Sequence, residues 1–285
     1  MSQVIFLSDM FVEQYAGGAE LTSESIIKAA PEGIIIKKIL TSTLTQRMID
    51  HHKEYLWVIC NFAGLSDEFK IYFCKNKISY TIIEYDYKFC KYRSMEKHEY
   101  AEGKACDCNE LPFGKINKIF YGYAKQIWFM SAKQQNIFHD KVQTIKEENT
   151  SVLSSIFADG DLRFIDNIRH NEKNSKYIIL QSPSWIKGTG ECVEYAKSHN
   201  LDFDLVHNLP YPELLIKLSQ SRGLIFRPLG GDTCPRIVIE AKLLGCELVL
   251  NGNVQHKDEK WFNASYEEMV AYLKGRASVF WKHYE

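Results

Sequence analysis

Asp232 and Glu240 stand eight residues apart in the stretch GGDTCPRIVIEAKLLGC, residues 230–246. The first lies in a glycine turn, the second inside an almost wholly apolar run. Carboxylates so placed can hold the hydroxyls of a ligand, and a glycine turn opening a helix suits an anion. Pro235 fits the first helical turn, where its missing N–H would be unpaired anyway, and Gly245 fits the stop. Ile237, Val238, Ile239, Ala241, Leu243 and Leu244 leave almost no polar face, which predicts a buried helix. Arg236 in its first turn opposes the helix dipole unless a negative group lies close. A bound diphosphate would supply that charge, and ligand hydroxyls would satisfy Glu240. Two plainer arrangements stay open: Arg236 and Glu240 are four apart and can pair along the helix, and Asp232 can be an ordinary turn residue.

Short apolar runs alternate along the chain with longer amphipathic segments, the pattern of βαβ units and parallel sheets. VIFLSD, GIIIKKIL, YLWVIC, ISYTIIEYD and QIWFM read as strands of one half, closed by SVLSSIF; FGKINKIFYGYA reads as a helix, and Ser131 as the N-cap of another. Residues 159–176 are polar and charged and read as a linker. The alternation restarts with YIIL, FDLVH, GLIF and ELVLN. With 285 residues, two α/β domains are expected, residues 1–165 and 173–285, with the last helix free to pack back on the first. GLIF precedes the 230–246 stretch, so that stretch falls at the carboxyl edge of a parallel sheet, where such folds bind ligands.

Composition narrows the function. The 35 basic residues nearly balance 36 acidic ones, which argues against wrapping a nucleic-acid duplex. Lys88, Lys91, Arg93 and Lys97, interleaved with Phe89 and Tyr92, form a local basic patch better read as a solvated face or a glycan contact. The opening residues MSQVIFLSDMFVEQY lack the basic start of a signal peptide, and no run nears the roughly 18 apolar residues of a membrane span. GKINKIFYGYAKQ permits at most peripheral membrane contact. Eight scattered cysteines then read as reduced thiols of a cytoplasmic protein. Cys106 and Cys108, with Cys90 and His98 upstream, raise a zinc question. Their Cys-x-Cys spacing departs from the usual gap of about two to four residues, and unpaired thiols without a metal are the expectation.

The 230–246 stretch resembles the donor-site motif of GT-B glycosyltransferases, most closely the retaining family-4 group, with Asp232 where Glu is usual and Glu240-Ala241 in register. YAGGAEL resembles that family's loop after the first strand, and Lys187-Gly188 its diphosphate-binding lysine. Tyr85-Asp86 stands where the family has a His-Asp pair. The resemblance implies two Rossmann-like, doubly wound domains facing a cleft, the second holding the donor and the first the acceptor. It implies that Glu240 binds the nucleotide ribose, Asp232 the donor sugar, Lys187 the diphosphate, and the backbone at Thr233 and Cys234 phosphate or sugar oxygens. Gly17 and Gly18 would let backbone approach donor or acceptor, and Asp86 would lie near the transferred sugar. The family's second cation, five residues before the lysine, is Ser182 here, and Arg227 or Arg236 is a replacement. The expected activity is retaining sugar transfer from a UDP- or GDP-sugar to an acceptor hydroxyl, with no metal or other cofactor required. The alternatives are a nucleotide-sugar epimerase and a non-catalytic sugar-nucleotide-binding protein.

Overall fold

The computed structural model describes residues 3–284. The chain forms two compact units: one holds the residues up to Ile156 and those from Gly275 on, the other spans Phe157–Lys274.

In the first unit β1 (Gln3–Ser8), α1 (Gly18–Lys28), β2 (Ile35–Leu40), α2 (Gln46–His51), β3 (Leu56–Ile59), α3 (Asp67–Lys75) and β4 (Tyr80–Glu84) follow in order. Then come α4 (Met95–Glu102), α5 (Pro112–Tyr123), β5 (Ile127–Phe129), α6 (Ala132–Lys141) and β6 (Thr150–Val152). The six strands run parallel in the order β2-β1-β3-β4-β5-β6. Every residue of β4 is buried, as expected of a central parallel strand covered on both faces. Trp57, Phe73, Tyr80, Phe120, Tyr121 and Phe138 dominate the core. Side-chain caps start α2, α3, α4 and α6: Ser131 Oγ accepts the Gln134 N–H at 3.2 Å, as its position predicts.

The second unit contains α7 (Asp159–Ile168), β7 (Tyr177–Leu180), α8 (Thr189–Ser198), β8 (Phe203–Val206), α9 (Tyr211–Ser219), β9 (Gly223–Phe226), α10 (Arg236–Leu243) and β10 (Glu247–Leu250). Its sheet is parallel in the order β10-β9-β7-β8. The final helix, α11 (Tyr266–Lys282), begins here, and from Gly275 its residues join the first unit. There Trp281 Nε1 donates to the Ile26 carbonyl at 2.9 Å and Arg276 Nε to that of Leu153 at 2.8 Å.

Two details differ from the sequence reading. Residues 159–168, expected in a linker, are α7: Leu162 and Ile165 lie three apart among the charges and are both buried, so one narrow apolar stripe suffices to dock it. Of the SVLSSIF segment only its first two residues belong to a strand, because β6 ends at Val152.

Candidate functional site

In the second sheet the strand order reverses between β7 and β9, and the loops leaving these two strands lie side by side. After β7 a short turn, Trp185–Lys187, ends at Gly188, whose φ of 61° is the left-handed conformation. A Cβ there would stand 2.4 Å from the Arg227 carbonyl oxygen, so the loop after β9 approaches bare backbone and requires glycine. The Leu229 N–H closes the contact on the Ile186 carbonyl at 2.9 Å. Across this junction Lys187 Nζ donates to Asp232 Oδ2 at 2.7 Å. Asp232 is fixed by its own backbone, donating to the Asn253 carbonyl at 2.8 Å and accepting from the Gln255 N–H at 3.0 Å. Thr233 and Cys234 follow, both buried, and lead through Pro235 into α10.

α10 is buried almost all round, as its composition required, and its two charges have protein partners. Arg236 Nε donates to Glu240 Oε1 at 3.2 Å, and its Nη2 to Tyr211 Oη at 3.1 Å and Asp161 Oδ2 at 3.3 Å. The guanidinium lies 3.9 Å from the centre of the Phe157 ring. Tyr211 Oη donates to Glu240 Oε1 at 2.8 Å. Of the arrangements left open by the sequence, pairing along the helix is therefore present, and no ligand is needed to make these charges tolerable. Burial pushes the Glu240 carboxyl above its usual range, although Arg236 opposes it. Asp161 and Tyr211 escaped the sequence reading. Asp161 lay in the supposed linker, and Tyr211 reaches Glu240 from another helix, 29 positions away.

Arg227 pairs with Glu191 at 3.1 Å and stacks over Tyr195. Neither proposed replacement for the cation missing at Ser182 is therefore without an acidic partner. The Ser182 N–H donates to Thr189 Oγ1.

The first sheet reverses its strand order between β1 and β3. Asp9, just past β1, accepts the Gly64 N–H at 3.0 Å and the Thr41 hydroxyl at 2.7 Å. Gly17 is the N-cap of α1 and Gly18 its first residue, while Glu20 in the first turn is buried and held protonated more readily than usual by that burial. Beyond β4, Glu84 Oε1 accepts from Lys88 Nζ at 2.7 Å, and Tyr121 donates to Oε2. Asp86 accepts from Lys88 at 3.0 Å and from Arg93 Nε at 2.7 Å. Burial would raise Asp86, but the two cations outweigh it and hold it below the usual carboxylate range; Glu84, deeper and beside Asp86, is raised by burial. Asp86 carries the sequence motif, whereas Glu84 does not; the only local sign of Glu84 is a carboxylate at the end of an otherwise uncharged buried strand. A 390 Å³ cavity next to this network is lined in part by Lys70, Lys88, Lys91 and Arg93. Each has an acidic partner: Asp67, Glu84, Glu102 and Asp86 respectively. Lys88 and Phe89 are buried, so they cannot contribute to the exposed patch of cations and rings that nucleic-acid stacking needs.

No protein family and no curated protein matches the chain by sequence. Solved structures do match over nearly its whole length. The complex of Anabaena HepE with UDP-glucose superposes with a TM-score of 0.60 at 12% identity, covering 98% of this chain and 94% of that one. The fold is GT-B. UDP-GlcNAc 2-epimerase from Methanocaldococcus jannaschii, in complex with UDP-GlcNAc and UDP, gives 0.53 at 12% identity, covering 97% of this chain and 93% of that one. AviGT4, a glycosyltransferase involved in avilamycin A biosynthesis, gives 0.51 at 9% identity, covering 99% and 93%. Among the described residues no helix is long and apolar enough to cross a membrane.

Proposed function

We propose that this GT-B chain is a retaining glycosyltransferase that takes a sugar from a uridine diphosphate sugar and passes it to an acceptor hydroxyl. The observation that carries this reading is the meeting of Lys187 and Asp232 at the switch point of the second sheet. Open α/β sheets bind ligands at such a point, and UDP-sugars occupy GT-B neighbours of this chain.

The unliganded pair is a resting state. Lys187 is about one-third exposed and Asp232 is 11% exposed, and ion pairs near the surface are worth roughly 1 kcal/mol or less. A diphosphate therefore displaces Asp232 from the ammonium at small cost. Lys187 then neutralises the departing phosphate, and Asp232 turns to the sugar hydroxyls, with backbone N–H groups at Thr233 and Cys234 supporting phosphate or sugar oxygens. Tyr211 and Arg236 both bond Glu240 Oε1, leaving Oε2 for the ribose. Stabilising the leaving diphosphate is the chief demand of the reaction, and pre-placed positive groups meet it without reorganisation. The first unit presents the acceptor, with Gly17 and Gly18 at the start of α1 and Asp86 beyond β4 on that side. Attack occurs on the face the diphosphate leaves, so no side-chain nucleophile is needed.

The test is to incubate the chain with UDP-glucose, UDP-GlcNAc, UDP-galactose and GDP-mannose, following release of nucleoside diphosphate and the unfolding temperature. A UDP-sugar should raise that temperature and be turned over, and Lys187→Ala should lose both effects. If none of these sugars stabilises the chain or is consumed, the reading is wrong.

The epimerase among the neighbours supports a second reading. An epimerase converts its nucleotide sugar with no acceptor present and releases no sugar, which proton NMR of an acceptor-free mixture distinguishes. Binding without turnover of any kind would indicate a non-catalytic sugar-nucleotide-binding protein, which the uncharged Ser182 favours.

A further inference from the structure

The geometry points to a structural zinc site made by Cys90, His98, Cys106 and Cys108, holding together the long connection between β4 and α5. One ligand atom from each of the four lies within 4.8 Å of all the others. His98 Nδ1 is 3.4 Å from Cys108 Sγ and 3.8 Å from Cys90 Sγ. Zinc bonds of about 2.3 Å to sulfur and 2.0–2.1 Å to nitrogen, set tetrahedrally, separate nitrogen from sulfur by about 3.6 Å and sulfur from sulfur by about 3.8 Å. The two nitrogen–sulfur distances thus match an edge of that tetrahedron, and the remaining pairs lie within 4.8 Å, close enough to contract onto one ion. Cys90, His98 and Cys108 are 2%, 1% and 0% exposed, with Cys106 at the rim.

The surroundings fit the same occupant. The Lys91 N–H donates to Cys108 Sγ at 3.5 Å, and backbone groups of Tyr92 and Cys108 bond the sulfurs of Cys90 and Cys106. Such N–H donors stabilise thiolates. With Nδ1 on the metal, the imidazole proton resides on Nε2, which has no hydrogen-bond partner among the described residues and faces Asp107 Oδ1 at 3.7 Å. A carboxylate behind a ligating histidine is the usual outer partner. Metal binding replaces the hydrogen bonds among these four side chains and gives up the Cys90 thiol donating to the Ser94 carbonyl at 3.3 Å. Three sulfurs and one imidazole select zinc over the oxygen-seeking cations. Four protein ligands also leave no open position, so the ion is structural. Despite the Cys-x-Cys spacing, the sulfurs of Cys106 and Cys108 lie within 4.8 Å of each other where Cys108 opens a short helical turn. The first turn of α5 presses on it: a Cβ on Gly114 would lie 1.9 Å from the Cys108 carbonyl oxygen. The knot fixes the loop carrying Asp86, Lys88 and Arg93, and it stands whichever reaction the chain performs.

The full chain, purified reduced and without chelator, should contain about one zinc per molecule by mass spectrometry of the metal, released when a mercurial blocks its thiols. After chelator treatment, titration with cobalt(II) alone should give the intense ligand-field bands and thiolate charge-transfer absorption of a tetrahedral sulfur-rich site. Cys90→Ser and Cys108→Ser should lose the stoichiometric metal, while Cys74→Ser, a buried thiol elsewhere, should keep it. A reduced chain that takes up neither zinc nor cobalt, or a pale octahedral cobalt spectrum, overturns the proposal. So does a disulfide among Cys90, Cys106 and Cys108 in the purified chain. Should the serine variants fail to fold, the metal content and cobalt spectrum of the unaltered chain decide the matter.

Discussion

Lys187 and Asp232, 45 positions apart in sequence, join their side chains at 2.7 Å where the loops leaving β7 and β9 meet. The pair lies at the carboxyl edge of the sheet and only part of it is buried. Its two members should therefore matter to ligand binding far more than to folding. Lys187→Ala and Asp232→Asn are each expected to weaken UDP-sugar binding at least about tenfold, equivalent to about 1.4 kcal/mol, measured by titration calorimetry. Their urea midpoints should stay near that of the unaltered chain. Unchanged affinity in both would remove the pair from the donor site.

Glu240 is different because it is locked into its own unit. Glu240→Ala strands the buried guanidinium of Arg236 with Asp161 as its remaining carboxylate, and breaking a buried pair costs about 3–5 kcal/mol. Loss of activity in that variant would not separate folding from binding. Glu240→Gln retains an acceptor for Tyr211 and Arg236 while altering the groups offered to a ribose. It is expected to unfold cooperatively with reduced stability and to lose the stabilisation that a UDP-sugar gives the parent. A glutamine variant that binds the donor normally would assign Glu240 to structure alone.

Gly188 tests the junction of the two loops. An alanine must adopt a φ of 61° and place its Cβ 2.4 Å from backbone that cannot rotate aside. The left-handed conformation alone costs a non-glycine residue roughly 1–2 kcal/mol. Gly188→Ala should lower the thermal midpoint and weaken donor binding together, as read by calorimetry with and without UDP-glucose. Gly190→Ala, which meets nothing within 4 Å, should do neither.

His256 gives the second unit a sensitivity to acid. It is fully buried, stacked on Trp261 at 5.6 Å, and neither ring nitrogen has a hydrogen-bond partner among the described residues. Burial, with a smaller contribution from Lys242, pushes it down from 6.5 to about 3. Between those values the unfolded chain takes up a proton that the folded chain refuses, so its contribution to stability is present above pH 6.5 and lost as pH falls. The loss from pH 7 to pH 5 is about 2 kcal/mol. His256→Phe should flatten this part of the stability profile in urea titrations at the two pH values. An equally steep profile in the variant would locate the proton uptake elsewhere.

The sequence made the parallel sheets legible because apolar runs such as those of β4 and β9 are buried on both faces and stand out between amphipathic segments. It made α10 legible for the same reason, with Pro235 and Gly245 marking its ends. α7 was hidden because Asp159, Asp161, Arg163, Asp166 and Asn167 surround its apolar residues Leu162, Phe164, Ile165 and Ile168 and give the segment the polar look of a linker. The partners of Arg236 were legible only in part. Glu240 is on the same helix at helical spacing, whereas Tyr211 and Asp161 arrive from α9 and α7 through tertiary packing that no local pattern records. Cys90, His98, Cys106 and Cys108 were visible as residues, but their convergence depends on how α4 folds back between them.

The return of residues 275–284 to the first unit has a consequence for synthesis. Trp281 and Phe280 pack against Phe6 and Trp128, strand residues made long before them. A ribosome must therefore deliver all of residues 157–274 before the first unit receives its last aromatic side chains. Until then that flank of the early sheet is an apolar surface open to chaperones, and a nascent chain released before Trp281 would leave it bare.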